Sequence, residues 1–276
     1  MKQHLLFLIL TILLLATAPG ASVSALELDG DFVQGGLVIG KTEPGASVNL
    51  GDRTLPVAPD GTFIMAFSRE HPAQANLTVQ FPDGTTKART FAIQKRDWDI
   101  QRIDGLPSNK VTPSEEELTR IRTERQQIRE ARAETLQDLI ARQQFIWPVT
   151  GRISGIFGSQ RVLNGEPRSP HKGVDIAAPT GTPIVAPAPG VVRLTHDDMF
   201  YSGGTVILDH GLGLNSIYIH LHEISVKPGQ RLERGEVLGT VGSTGRSTGP
   251  HLHWGVSHSG VAIDPEMIVP AMTTIN

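Results

Sequence analysis

Apolar positions change their spacing four times along this 276-residue chain. From Leu5 to Leu15 they are continuous apart from Thr11, with Lys2 ahead and Val23-Ser24-Ala25 behind. That layout is a secretory leader cleaved after Ala25. The run falls short of the roughly 20 apolar residues of a spanning helix, so membrane anchoring is expected only if the segment stays uncleaved. From Leu26 to about Lys95, short runs such as Leu37-Val-Ile39, Ser47-Val-Asn-Leu50, Thr62 to Phe67, Leu77 to Phe81 and Thr90 to Ile93 sit between Glu43-Pro-Gly45, Pro59-Asp-Gly61 and Pro82-Asp-Gly84. Short strands at near-regular spacing with turn signals predict a small sandwich.

Asp97 to Val111 reads as a linker, with Asp104-Gly105 and Leu106-Pro107. The period then becomes helical. Thr112 fits an N-cap, Pro113 the first helical position and Glu115 the reciprocal cap. Glu115, Glu116 and Glu117 complement the helix dipole. No Pro or Gly interrupts the pattern up to Phe145, but its apolar stripe (Leu118, Ile121, Ile128, Leu139) is thin. A long, largely solvated helix joining two domains is expected, with a coiled-coil dimer the weaker alternative because its seam positions should be more apolar.

From Trp147 the pattern returns to short runs: Ile184-Val185, Gly190 to Leu194, Gly204 to Asp209, Asn215 to His220 and Val237 to Val241. Turns follow each run and no helical period intervenes, which predicts an antiparallel sheet. The fold class is therefore mainly β: a C-terminal antiparallel sheet domain, a small N-terminal β-sandwich and one long connecting helix. The expected partition is 1–25 leader, 26–96 sandwich, 97–145 linker and helix, and 146–276 the C-terminal domain. The Pro-Gly turn followed by Ala-x-Val, and the later Asp-Gly-x-Phe, resemble bacterial immunoglobulin-like modules.

Eight of the 10 histidines lie after Trp147. In Gly249-Pro-His251-Leu-His253-Trp-Gly255, a turn is followed by strict alternation. His251 and His253 then share one strand face, with Leu252 and Trp254 on the other. His171 and Asp175 also share a face if Ser169 to Ile176 is extended, and Pro170, Gly173 and Pro179 argue against a helix there. Imidazole nitrogen and carboxylate oxygen are zinc ligands, and three protein ligands leave a fourth position for water. Alternation along Ser216 to His222 puts His220 on the face of Tyr218. His71, His196, His210, His222 and His258 carry no such pattern and are read as packed or surface residues. Arg161 and Arg168, in the loop before His171, are placed to meet substrate carboxylates.

The sequences His171-Lys-Gly-Val-Asp175, Tyr218-Ile-His220 and Ser247-Thr-Gly-Pro-His-Leu-His253, in that order, resemble the lysostaphin/LytM family of peptidoglycan zinc endopeptidases. The likeness runs from about Trp147 to Pro265 and includes Phe157-Gly158, Gly181 to Ala186 and Val241 to Gly245. It implies that His171, Asp175 and His253 bind one zinc ion, and that His220 and His251 are a catalytic pair outside the metal. It also implies stem peptides of peptidoglycan as substrate, cut at a D,D cross-link by zinc-activated water. Other members of such a family are non-catalytic activators of another wall hydrolase, having lost ligands, or carboxypeptidases that trim stems; here all five residues are present.

Composition narrows the classes further. The chain is 39% hydrophobic and 19% charged, with a net charge of −3. That balance gives no footprint for nucleic acid. There is no cysteine, hence no disulfide, thiolate ligand or lipidated N-terminal Cys. Such a chain suits export without oxidative folding, and the family resemblance implies the periplasm as its destination. No His-Glu-x-x-His helix or Gly-x-Ser-x-Gly elbow is present.

Overall fold

The computed structural model describes residues 26–272; the expected leader, 1–25, lies outside the described residues. Seven strands come first: β1 (Glu27–Gly30), β2 (Leu37–Lys41), β3 (Ser47–Leu50), β4 (Arg53–Leu55), β5 (Thr62–Ala66), β6 (Gln74–Gln80) and β7 (Thr86–Ala92). They form a three-stranded sheet, β1-β2-β5, and a four-stranded sheet, β4-β3-β6-β7. Val38, Phe63, Met65 and Phe67 from one share a core with Val48, Leu50, Leu77 and Val79 from the other. Strand alternation explains an unusual feature of β5, which is buried at all five positions. Phe63 and Met65 face the sandwich core. Ile64 and Ala66 point the other way, into the core of the C-terminal sheet. One strand thus seals two cores.

The linker is less irregular than the sequence implies. It contains β8 (Ile100–Ile103) and a single turn, α1 (Ser108–Val111), before the long helix α2 (Glu115–Ala133). Helix α2 starts two residues later than expected: Ser114, not Thr112, is the N-cap. Its hydroxyl accepts from the Glu117 amide while Glu117 reaches back to the Ser114 amide. The same reciprocal cap is made, two residues along. The helix also ends at Ala133 rather than near Phe145. Asp209 explains this, since its carboxylate accepts from the Thr135 hydroxyl at 2.9 Å and from the Leu136 amide at 2.9 Å. Leu139, Ala141 and Phe145 are then buried against the C-terminal sheet, and Ile140 N–H donates to His210 C=O. Tertiary burial outweighs a helical propensity that depends on a thin stripe.

The remaining strands are β9 (Arg152–Gly155), β10 (Gln160–Leu163), β11 (Glu166–Pro167), β12 (Val174–Ala177), β13 (Pro183–Val185), β14 (Gly190–Met199), β15 (Gly203–Gly211), β16 (Leu214–Leu221), β17 (Glu223–Ile224), β18 (Arg231–Leu232), β19 (Val237–Thr240), β20 (His251–His258) and β21 (Val261–Ile263). The main sheet runs β18-β14-β15-β16-β20-β12-β9, with β21 added to β20. Its pairs are antiparallel as expected. One parallel pair departs from that pattern: β8 lies beside β10, with Ile100 opposite Gln160 and Ile103 opposite Leu163. Leu252, Trp254, Val174, Ile176 and Tyr218 bury one face of the main sheet in the larger core, and the alternate residues of β12 and β20 face a groove.

Candidate metal centre

Strands β12 and β20 build the centre through their register. Asp175 is paired with His253 and Ala177 with His251. The three polar side chains therefore emerge on one face, while Leu252 and Trp254 are fully buried on the other. This is the alternation expected from the sequence. His171 reaches the same point from the turn before β12. Its Nε2 lies 3.0 Å from Asp175 Oδ1, His253 Nδ1 lies 2.8 Å from the same oxygen, and the two imidazole nitrogens are 2.8 Å apart. Each of the three residues offers one ligand atom, and these atoms all lie within 4.8 Å of one another. Two imidazoles and a carboxylate converging this closely fit zinc by donor type and number.

The surroundings set the protonation states. His171 Nδ1 donates to Ile156 C=O at 2.9 Å, which leaves Nε2 free as a ligand. Burial pushes the Asp175 carboxyl up, but hydrogen bonds and charge from His171 and His253 outweigh it and hold the group well below the usual carboxylate range. Burial lowers His253 to about 4, against the pull of Asp175. A neutral imidazole and an ionised carboxylate are what metal binding requires. Arg161 pairs with the other oxygen, Asp175 Oδ2, so the carboxylate offers Oδ1 to the centre. That contact corrects the expectation that Arg161 waits for substrate carboxylates. Arg168 is also engaged, donating to Val111 C=O at 2.9 Å.

His220 reaches the groove by a route that alternation does not give. Tyr218 pairs with Trp254 across the sheet and is fully buried. His220 should share that buried face, and it does not. Between the pairs Val206–Tyr218 and Gly204–Leu221 the register of β15 and β16 shifts. An extra residue on β16 makes a bulge there, and His220 takes φ 68°. The bulge re-aims its ring toward His251, with centroids 4.7 Å apart. Nδ1 of His220 donates to Thr244 C=O at 2.7 Å and Nδ1 of His251 to Gly249 C=O at 2.8 Å. Each Nε2 is left with a lone pair. Burial, with smaller contributions from His251 and His253, lowers His220 to about 3, so it stays neutral.

The remaining histidines stay outside the centre. His210 is fully buried, its Nδ1 donating to Pro189 C=O at 2.7 Å and its Nε2 lying 2.8 Å from Ser216 Oγ. Burial lowers it to about 4. His258 is buried and His222 exposed.

The pair and the carboxylate open on a groove of about 240 Å³. Its walls include residues to which the sequence assigned no role: Gln101, Ile103 and Leu106 from the linker, and Arg152 and Arg246. No described residue of the sandwich lines it, nor does α2. The signal for β8 was weak, because Ile100-Gln-Arg-Ile103 is too short to show a period. The bulge did leave a trace: Gly203-Gly204 inside a strand pattern marks close backbone approach. A Cβ on Gly203 would run into Thr244, whose carbonyl orients His220.

A mainly β protein with a two-histidine, one-carboxylate centre beside a second histidine pair has the makings of a metal-dependent hydrolase. The profile of Peptidase family M23 matches residues 169–265. The crystal structure of a Pseudomonas aeruginosa protein described as a peptidase M23 superposes with a TM-score of 0.66 at 30% identity, over 87% of this chain and 96% of that one. The chain belongs to peptidase family M23. Among curated relatives, the peptidoglycan DD-endopeptidase ShyA of Vibrio cholerae is 43% identical over 104 residues, 37% of this chain and 24% of that protein. The DD-carboxypeptidase/endopeptidase Mpg of Neisseria meningitidis is 44% identical over 95 residues, 34% of this chain and 22% of that protein. The matches thus span less than a quarter of the length of these curated relatives.

Proposed function

We propose that the protein is an exported zinc metalloendopeptidase that hydrolyses peptide cross-links of peptidoglycan, as a D,D-endopeptidase. The observation that carries this reading is the placement of His220 and His251 beside the donor cluster of His171, Asp175 and His253, with His220, His251 and Asp175 lining one groove. His171, Asp175 and His253 would hold a single zinc ion. Zinc bound there supplies a Lewis acid for a scissile carbonyl and lowers the pKa of water to about 7.

The chain's own groups supply the proton handling. His220 and His251 are each pinned at Nδ1 by a backbone carbonyl, so each presents Nε2 as an acceptor to the groove. In that state either ring takes a proton from water. Once charged, it donates to the leaving amine or to the developing oxyanion. Arg161 holds Asp175 Oδ2 and keeps the carboxylate in one orientation.

Export to the periplasm is supported by the leader-like segment 1–25 and by the absence of cysteine. The peptidoglycan substrate is supported by the names of ShyA and Mpg. The full set of five site residues favours an enzyme over a non-catalytic activator. Mpg's double description keeps carboxypeptidase trimming as the second reading. Digestion of purified peptidoglycan by the zinc-loaded protein, with mass analysis of the fragments, separates them. Cross-linked dimers should become monomers. Release of single D-alanine with dimers intact would replace the endopeptidase reading by the carboxypeptidase one, and no release at all would remove both.

A further inference from the structure

Arginines outnumber carboxylates in the groove. Arg152, Arg161 and Arg246 line it, with Asp175 as the acidic residue of the wall, and Asp175 is already paired with Arg161. Arg246 is the more constrained of the remaining two. Its guanidinium lies over the Tyr201 ring, 4.3 Å from the centroid. It makes one side-chain hydrogen bond, from Nη1 to Lys110 C=O at 3.3 Å. A guanidinium has five N–H donors, so most of its capacity is unspent. Its backbone is fixed as well, with N–H donating to Tyr201 C=O at 2.8 Å.

Apart from Tyr201, the charged groups that act on Arg246 have its own sign. Arg161, Arg168 and Arg125 all act on it, and no described carboxylate forms an ion pair with it. Burial, first, and these cations, second, lower its pKa from the ordinary arginine value, while Tyr201 opposes them. A cation kept partly out of water among other cations costs free energy in the empty groove. An arriving anion relieves that cost, and a planar guanidinium held by an aromatic face is preorganised for a carboxylate. Tyr201 and Lys110 C=O account for where the side chain lies. They do not account for a positive charge there, which a neutral side chain would satisfy at less cost.

We propose that Arg246 forms a carboxylate-binding subsite of the groove, which recognises a free carboxylate on the substrate residue next to the scissile amide. The subsite shares its cavity with His220 and His251, so a carboxylate seated there belongs to a residue flanking the bond that is cut. Arg246 is a specificity-determining residue on this account: it reads the charge of the substrate and leaves the chemistry to the histidine pair. The inference rests on the peptidase reading above.

The test uses the zinc-loaded full chain and a pair of D-alanyl peptides, identical except that the residue after the scissile amide carries a free carboxylate or its carboxamide. Wild type should prefer the acid in kcat/KM by about tenfold or more, the range of a charge-assisted contact. In Arg246→Gln the ratio should fall toward one, and Arg246→Lys should restore part of it. A ratio that stays at its wild-type value in Arg246→Gln, or a wild type with no preference, overturns the proposal. Binding of the acid peptide to metal-free protein, read by tryptophan fluorescence, should weaken by a similar factor in Arg246→Gln. That second readout survives a failure of the hydrolase reading: if neither peptide is cut, unchanged binding in Arg246→Gln overturns the subsite, and weakened binding sustains it.

Discussion

At Gly155 the missing side chain makes room for the Asp175 carboxylate. The two residues are cross-strand partners between β9 and β12, and a Cβ on Gly155 would overlap Oδ2 and Cγ of Asp175. The backbone there is not left-handed, so Gly155→Ala should fold and displace the carboxylate instead. Zinc affinity should fall by about tenfold or more, as when a supporting partner of a ligand is disturbed, with the circular dichroism spectrum unchanged. Wild-type affinity in that variant would show that the carboxylate position is not critical. At this scale much of the site was legible. His251, His253 and Asp175 obey strand alternation, and that is how the sequence placed them; His171, expected on the same extended segment, comes instead from the turn before β12. His220 breaks the pattern, because alternation fails across a bulge, and a bulge is set by pairing with a distant strand. Arg246 was passed over for a similar reason. Its lack of a carboxylate partner is a property of the folded neighbourhood and has no local signature.

Among elements, the turn from Ile156 to Ser159 is the link between the sandwich and the metal. His171 is tied to it three times: Nδ1 to Ile156 C=O, N–H to Ser159 C=O and C=O from Gly158 N–H. The turn is clamped from the linker side. Trp98 lies against Phe157, with centroids 5.9 Å apart, and Gly158, at φ 81°, admits the indole where any Cβ would overlap it. Arg69 Nε donates to Gly158 C=O at 2.6 Å while Arg69 and Arg96 flank the indole at 5.2 and 4.6 Å. Trp98→Ala should loosen the turn and weaken zinc binding by about ten- to hundredfold, although the residue touches neither the donor cluster nor the groove. Competition with a chromophoric chelator would measure it, and an unchanged affinity would uncouple the two. The sequence placed the strands of both sheets well, because turn residues bound each run. It misjudged elements whose structure comes from tertiary contact: the end of α2, drawn out by Asp209, and β8, β10 and β11, read as linker and loop, which exist by pairing with one another.

For the whole molecule, the shared core matters most. Ala58, Ile64 and Ala66 of the sandwich belong to the same cluster as Val174, Leu252 and Trp254. Arg96 adds an ion pair to the buried Asp264 at 2.7 Å, and Asp264 N–H donates to Gly35 C=O. The sandwich is therefore packed against the main sheet, and none of its described residues lines the groove. The linker occupies the wall instead, with Gln101 accepting from Arg161 Nε at 3.2 Å. All of this positions one centre. In the proposed enzyme three side chains hold one metal ion and two others do the proton chemistry beside it. The most direct measurement is zinc per chain after equilibrium dialysis, read by mass spectrometry, across single alanine variants. One zinc is expected in wild type, His220→Ala and His251→Ala, and almost none in His171→Ala, Asp175→Ala and His253→Ala. Full zinc occupancy in Asp175→Ala and His171→Ala, or its loss in His220→Ala and His251→Ala, would contradict that assignment.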